Sequence, residues 1–388
     1  MNLLYTIMNT KTNITHKFKT KNQEIVDELC SLKPVKPGTR QGYLTTLNNY
    51  TSYQNMSFQE LLKEAEQEEL NGTPLKHRKI RQRLTGYMNF LREHNYNNLT
   101  INSYLKRIRY IYKMYYIELP ILFYPKTKQK DSIYDIVTVE DIKKVLKNTN
   151  NIKYQATILF MLSSGQAAAE MISLTIQDFI NATSEYHNET NIINVISVLE
   201  RKKFIIPLFD MFRTKEDVSY YTVCSHEAVE YILSYLKQRI YQKGIPDPTD
   251  KLFDLKYPAF SDFLRRQNDV LGMGKVNNTH RFFTSHALRK FFANTLFAAN
   301  IESMKIDFMM GHTLPPVQAA YFKANPKIIK EEYKHVVNHV TIFSDLTYQN
   351  IKSTEKQELE QLRREQKEDR LKMKRIEQTI NRLILENK

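Results

Sequence analysis

Three short segments of this 388-residue chain carry residue types that could act together on a phosphate. The first is Ser285-His286-Ala287-Leu288-Arg289, set in a helical pattern. Positions three apart share a helix face, so the His286 imidazole and the Arg289 guanidinium can address one phosphate together. The second is Met310-Gly311-His312, with Tyr321 nine residues after the histidine. Gly311 suits a tight helix-to-turn junction. Pro315 and Pro316 can open a short helix that carries Tyr321 back toward the same pocket. Tyr321 is one of 24 tyrosines, whose usual fate is packing, so only its place after His312 singles it out. The third is Ser163-Ser164-Gly165-Gln166-Ala167-Ala168-Ala169-Glu170, a buried helix, a glycine turn and a second helix that opens with an acid.

The elements that must hold these segments can be read from periodicity and punctuation. Residues 1–37 are polar and basic and end in LKPVKPGTR, where Pro34 and Pro37 cannot donate backbone bonds inside a helix; the stretch reads as an N-terminal arm and linker. Residues 38–127 read as a helical domain. Ser57 and Glu60 form a capping box ahead of one helix, and Thr100 caps another. Basic residues crowd this domain: Lys76, Arg78, Lys79, Arg81 and Arg83, then Lys106, Arg107, Arg109 and Lys113. A single such charge is ordinarily a solvated helix face. Their density, interleaved with tyrosines that can contact a nucleic-acid backbone, favours a DNA-facing surface on which Arg78, Lys79, Arg81, Arg83, Lys106, Arg107 and Arg109 are the candidates. A second break with Pro120 and Pro125 precedes residues 128–345. There Thr138 and Asp141 cap a helix, and INVISVLE, KFIIPLFDMFR and SYYTVCS read as a small antiparallel sheet within an otherwise helical domain. The tail, 346–388, carries Leu359, Leu362, Gln366, Asp369, Met373, Ile376, Ile380 and Leu383 at alternating three- and four-residue steps. It is a C-terminal helix that either self-associates as a short coiled coil or lies on its own domain.

Composition narrows the classes. Lys and Arg number 57 against 42 acidic residues, a net charge of +15 that attracts phosphate polymers. A hydrophobic share of 41% argues against wholesale disorder. Cys30 and Cys224 stand apart with no partners at metal spacing, which argues against a disulfide scaffold or a structural zinc and fits a reducing cytoplasm. No apolar run approaches the ~18 residues of a membrane span, and the polar start after eight residues is unlike a signal peptide. With 9 glycines and no phosphate-cradling glycine loop, the chemistry calls for no nucleotide cofactor.

Taken in order, these segments resemble the tyrosine recombinase (phage integrase) family. That family has G-x-R-x-x-E, then a lysine of the sheet, then H-x-x-R, then G-H with a tyrosine nine residues after the histidine. His286, Arg289, His312 and Tyr321 match in order, and the likeness covers about residues 38–340. The EAEQEE, HALRKFFANTLFAAN and MMGHTLPPVQAAYF stretches are similar to archaeal-type integrases in particular. The resemblance implies a mainly α fold with a small antiparallel β-sheet: a helical core-binding (SAM-like) domain, a catalytic domain of the DNA breaking-rejoining type, and a C-terminal helix. It implies site-specific cutting and rejoining of double-stranded DNA through a 3′-phosphotyrosine, without metal, ATP or other cofactor, by a homo-tetramer on paired sites. Tyr321 would attack the phosphate, Arg289 would hold non-bridging oxygens, and His312 would hydrogen-bond one of them. His286 would orient the phosphate or accept the tyrosine proton. Lys215 is the choice for the general acid, with Lys202 and Lys203 as alternatives.

One position departs from the pattern. Gly165 and Glu170 occupy the family's glycine and acidic positions, but Ala167 stands where the family has its first arginine. Losing such a donor costs ~3–4 kcal/mol of transition-state stabilisation, roughly a few hundredfold in rate. An introduced substitution, a natural defect and a charge supplied from elsewhere all fit; a second arginine beside Arg289 would point to the last. Accordingly a DNA-binding protein derived from a recombinase, making no covalent adduct, is the main rival reading. A type IB topoisomerase, which would relax supercoils without a paired site, and a metal-dependent nuclease, for which no carboxylate cluster stands out, fit less well.

Overall fold

The computed structural model describes residues 18–126, 136–276 and 280–343. The tail seam and the first 17 residues of the expected arm lie outside them. The chain divides into two compact units, 1–129 and 130–388.

The first unit is helical: α1 (Lys19–Leu32), α2 (Pro37–Gln54), α3 (Phe58–Leu70), α4 (Lys79–Glu93) and α5 (Asn98–Met114). Its core joins Ile25, Val26 and Leu29 of α1 to Leu47, Tyr50, Phe58, Leu61, Leu84, Tyr87, Leu105 and Tyr112. The expected linker is therefore corrected over 19–32. Ile25, Val26 and Leu29 form a narrow apolar stripe within a polar composition, and burying that stripe makes the segment a helix. Pro34 lies in the break that follows, whereas Pro37 opens α2 at its first position, where a missing N–H costs nothing. The Ser57–Glu60 capping box is present in both directions. Thr100 is not the cap of α5: Asn97 is, its side chain accepting the Thr100 N–H at 2.8 Å.

The second unit packs around α7 (Ile152–Ser164), of which every residue from Ala156 to Ser164 is buried. In order it contains α6 (Val139–Lys147), capped by the expected Thr138–Asp141 box, α7, α8 (Ala168–Ser173), α9 (Ile176–Thr183) and α10 (Ile192–Leu199). The hairpin β1 (Leu208–Arg213) and β2 (Val218–Val223) follows, then α11 (His226–Lys243) and α12 (Tyr257–Val270). Next come the two-residue strands β3 (Lys275–Val276) and β4 (His280–Arg281), then α13 (Ser285–Ala298), α14 (Ser303–Met309), α15 (Pro316–Ala324) and α16 (Pro326–Val336). Helices α11 and α13 both lie against α7. The hairpin pairs antiparallel, from Leu208 opposite Val223 to Arg213 opposite Val218.

The fold is thus mainly α with small antiparallel sheets, as the sequence implies, but INVISVLE is not a strand. It lies in α10, whose buried residues are Ile192, Val195, Ile196 and Leu199, a helical spacing, and Asn191 caps that helix by accepting the Ile193 N–H at 2.8 Å. β-branched residues tolerate either state, and here the one-sided burial decides. In KFIIPLFDMFR the strand begins only after Pro207, which has no N–H to pair.

Candidate active site

Arg289 is the centre of the arrangement. It sits in the second turn of α13, a helix capped by Thr284 accepting the Ala287 N–H at 3.1 Å, and its side chain points inward with the residue 5% exposed. One terminal nitrogen donates to the Gly165 carbonyl at 2.7 Å. The other donates to the Met310 carbonyl at 2.7 Å and lies 2.9 Å from His312 Nε2. Both carbonyls belong to helix C-termini, those of α7 and α14, whose partial negative charge suits a cation. Arginine cannot accept, so His312 Nε2 accepts and the ring's hydrogen is on Nδ1, donated to Asp307 Oδ1 at 2.7 Å.

The two glycines of the motifs make this convergence possible. Gly165 and Gly311 both have φ in the left-handed region, +68° and +67°. A Cβ on Gly165 would lie 2.3 Å from the Phe292 ring, and one on Gly311 would lie 2.6 Å from the Tyr220 ring. Tyr220 also donates to Gln166 Oε1, and Gln166 Nε2 donates to the Ser164 and Met309 carbonyls at 3.1 and 2.9 Å. This buried network fastens the turn after α7 to the end of α14. Burial, then the charge of Glu170, pushes the Tyr220 phenol well above its ordinary pKa.

Glu170, in the first turn of α8, is buried, and its carboxylate lies 3.3 Å from Arg213 Nε. Arg213 ends β1 on the strand's inward face, in register with buried Phe209 and Met211, and it donates to the Met310 and Gly311 carbonyls at 3.3 and 3.1 Å. No motif singles out Arg213 in the sequence, although the alternation in LFDMFR places an arginine on the core side. Burial first, then the charge of Arg213, lowers the pKa of Arg289 to about 10. Ala167 is the half-buried residue just before α8, with no side-chain cap.

The other candidates are not drawn into this cluster. His286 shares the first turns of α13 with Arg289 but is exposed, and the Arg289 guanidinium bonds to Gly165, Met310 and His312 instead of to its imidazole. It borders a cleft of about 520 Å³ that is also lined by Arg265, Arg281 and Lys290. Desolvation, then Lys290 and Arg289, holds its pKa below the ordinary value. Lys215 lies in the hairpin turn with its side chain 73% exposed, 3.8 Å from Glu216. Lys202 and Lys203 are exposed in the connection after α10. Tyr321 is 72% exposed on α15, a helix with no buried residue, and the Phe322 ring packs 5.3 Å from Phe308 beside it. The Tyr321 hydroxyl makes no hydrogen bond to Arg289, His312 or His286.

The basic candidates of the first unit divide in two. Arg78 pairs with Glu69 and Glu118, Arg83 with Glu64, Arg107 donates to Thr46 and the Gly42 carbonyl, and Arg109 donates to the Pro120 carbonyl. Those four are half-buried, whereas Lys79, Arg81 and Lys106 are exposed, and Lys79 reaches Glu64 at 3.0 Å.

Among the described residues, no group of three or more His, Cys, Asp or Glu side chains could hold a metal ion, and no helix is long and apolar enough to cross a membrane.

The described geometry is thus a buried arginine spanning two helix ends with a histidine tied to it, and an exposed tyrosine nine residues further on, in a mainly helical domain. Residues 135–327 match the model of the Phage integrase family, and the chain thus carries a domain of that family, the tyrosine recombinases. Among solved structures, the chain is similar to XerA recombinase (17% identity, 81% of this chain and 97% of that one, TM-score 0.33). It is likewise similar to a lambda integrase dimer bound to a COC′ core site (11% identity, 82% and 80%, TM-score 0.48). A third likeness is to the integrase from mycobacterium phage Brujita (13% identity, 86% and 96%, TM-score 0.35). No curated protein matches the chain.

Proposed function

We propose that the chain is a site-specific DNA recombinase that cuts and rejoins double-stranded DNA through a 3′-phosphotyrosine on Tyr321. The observation that carries this reading is the Arg289–His312 pair, held at 2.9 Å inside a domain of the integrase family and followed nine residues later by an exposed tyrosine. Arg289 binds the non-bridging oxygens of the scissile phosphate. As it turns to the phosphate it releases His312 Nε2, which hydrogen-bonds an oxygen once it carries a proton, with Asp307 still bonded to Nδ1. Attack by the Tyr321 oxygen forms the phosphotyrosine and breaks the bond to the 5′ oxygen, which takes a proton from Lys215. His286 orients the phosphate or accepts the phenolic proton. Because the covalent bond conserves the ester's energy, rejoining calls for neither metal nor ATP. A helix such as α15, with no fully buried residue and Phe322 its ring contact with the core, has a low local cost of displacement. Tyr321 can therefore swing to its own Arg289 or to that of a second copy in a tetramer on paired sites.

The test is a nicked suicide duplex bearing a sequence that the wild-type chain enriches from a random pool. The expected product is a DNA band that resists detergent, shifts on a denaturing gel and disappears after protease, with none from Tyr321→Phe. A Tyr321→Phe protein that still cuts removes the assignment. Two observations favour a second reading, in which the chain binds DNA without cutting it: the methyl group of Ala167 and the distance of Tyr321 from any hydrogen bond with the cluster. In that case the same duplex is bound with a steep salt dependence and no covalent band forms.

A further inference from the structure

We propose that Arg213, reaching inward from the end of β1, is a catalytic residue: the second guanidinium that binds the scissile phosphate, in the place that Ala167 leaves without one. The inference rests on the recombinase reading above.

Three observations converge on it. Arg213 and Arg289 both donate to one oxygen, that of Met310, at 3.3 and 2.7 Å, so their terminal nitrogens are no further apart than those two distances together. Arg213 also donates to the Gly311 carbonyl, immediately before His312. Its ion-pair partner is Glu170, three residues after Ala167, which immediately precedes α8 and whose carbonyl accepts the Met171 N–H at 3.0 Å. A guanidinium paired with Glu170 thus sits against the first turn of α8, the helix that opens directly after the position where the family carries its own.

Charge supplies the physical reason for a ligand. Two guanidiniums, on residues 9% and 5% exposed, face one buried carboxylate, that of Glu170. The other nearby acid, Asp307, has a side chain 47% exposed and is bonded to His312. A buried excess of positive charge is unfavourable until an anion neutralises it. The bonding inside the cluster is also incomplete. Arg213 Nε lies 3.3 Å from Glu170 Oε1 without the alignment of a hydrogen bond, and both that Nε and Glu170 Oε2 are buried without a hydrogen-bond partner. A phosphodiester offers two non-bridging oxygens, and two planar guanidiniums from different elements can each take one.

The competing role for Arg213 is structural, a clamp on the C-terminus of α14, and the experiment separates the two. The full-length chain is tested on the nicked duplex enriched by the wild type, with melting temperature and DNA affinity measured in parallel. Arg213→Met keeps the apolar stem and removes the charge. It is expected to slow covalent adduct formation by roughly a few hundredfold, with DNA affinity changed by less than about tenfold, a residual attributable to one lost phosphate contact. Adding Ala167→Arg to Arg213→Met is expected to restore at least about tenfold of the lost rate, because a guanidinium returns to the same phosphate. Cleavage by Arg213→Met at the wild-type rate would overturn the proposal. So would a lower melting temperature with a loss of cleavage that Ala167→Arg does not recover. If the wild type forms no adduct while Ala167→Arg alone does, the recombinase reading stands and Arg213 is excluded. If neither forms one, the recombinase reading fails and this proposal falls with it.

Discussion

Gly165→Ala is expected to damage both stability and cleavage, by an amount that can be worked out from two separate strains. Gly165 ends α7 with φ at +68°, where an L side chain costs about 1–2 kcal/mol. The new methyl would also meet Phe292 Cδ1 at 2.3 Å, on a ring that is fully buried and hemmed in by the core. Forcing a methyl into such a place costs about 1–3 kcal/mol more. The sum, about 2–5 kcal/mol, corresponds to a fall of roughly 4–20 °C in melting temperature for a unit of this size. Gly272 supplies the control. Its φ is +63°, but nothing lies within 4 Å of an added Cβ, so Gly272→Ala should show the backbone strain alone, about 1–2 kcal/mol. Thermal unfolding of the second unit followed by circular dichroism measures both. The Gly165 carbonyl also accepts from Arg289 at 2.7 Å, so cleavage of the enriched duplex should fall further than its binding. Equal melting temperatures for the two variants would refute the contact argument.

The basic residues of the first unit should separate under mutation. Arg81→Ala and Lys106→Ala remove exposed charges and should each flatten the slope of log affinity against log salt by about one, with little change in stability. Arg83→Ala, which strips Glu64 of a half-buried partner, should instead lower the first unit's melting temperature, and equal salt slopes in all three variants would remove this unit from the DNA interface. His286 predicts a pH effect. Its folded-state pKa is depressed by partial desolvation at the cleft first and then by Lys290 and Arg289, so the folded chain binds fewer protons than the unfolded chain. Stability is then intact above the ordinary histidine value of 6.5 and declines as the pH falls below it. Urea midpoints at pH 7.5 and 5.5 should therefore differ less in His286→Gln than in the wild type, and an identical difference would contradict the shift.

Much of the local architecture was legible in the chain because its signals act within one helical turn. Ser57 with Glu60 and Thr138 with Asp141 cap the helices expected of them, since a short polar side chain three residues from its acid can satisfy free N–H groups only at a helix start. Gly165 and Gly311 mark left-handed turns for the same local reason. Pattern misled where two states share it. The β-branched run 192–199 suits a strand as well as a helix, and 19–32 has too few apolar residues to announce that it is buried. Arg213 escaped notice because a charged residue at a turn is ordinarily solvated, and the inward alternation of β1 was outweighed by that expectation.

By itself the sequence determined which groups are present and in what order: the H-x-x-R pair on one helix, the histidine after its glycine, the tyrosine nine residues on, and an alanine where a cation was expected. Only the tertiary structure decided which of them meet. Arg213 and Glu170 lie on different elements, and Gly165 and Met310 end helices far apart in the chain, yet their carbonyls converge on one guanidinium. Spacing along a chain fixes contacts within a turn or a strand pair. Contacts across a core depend on which face of every element is buried, a property of the whole packing that no single segment contains.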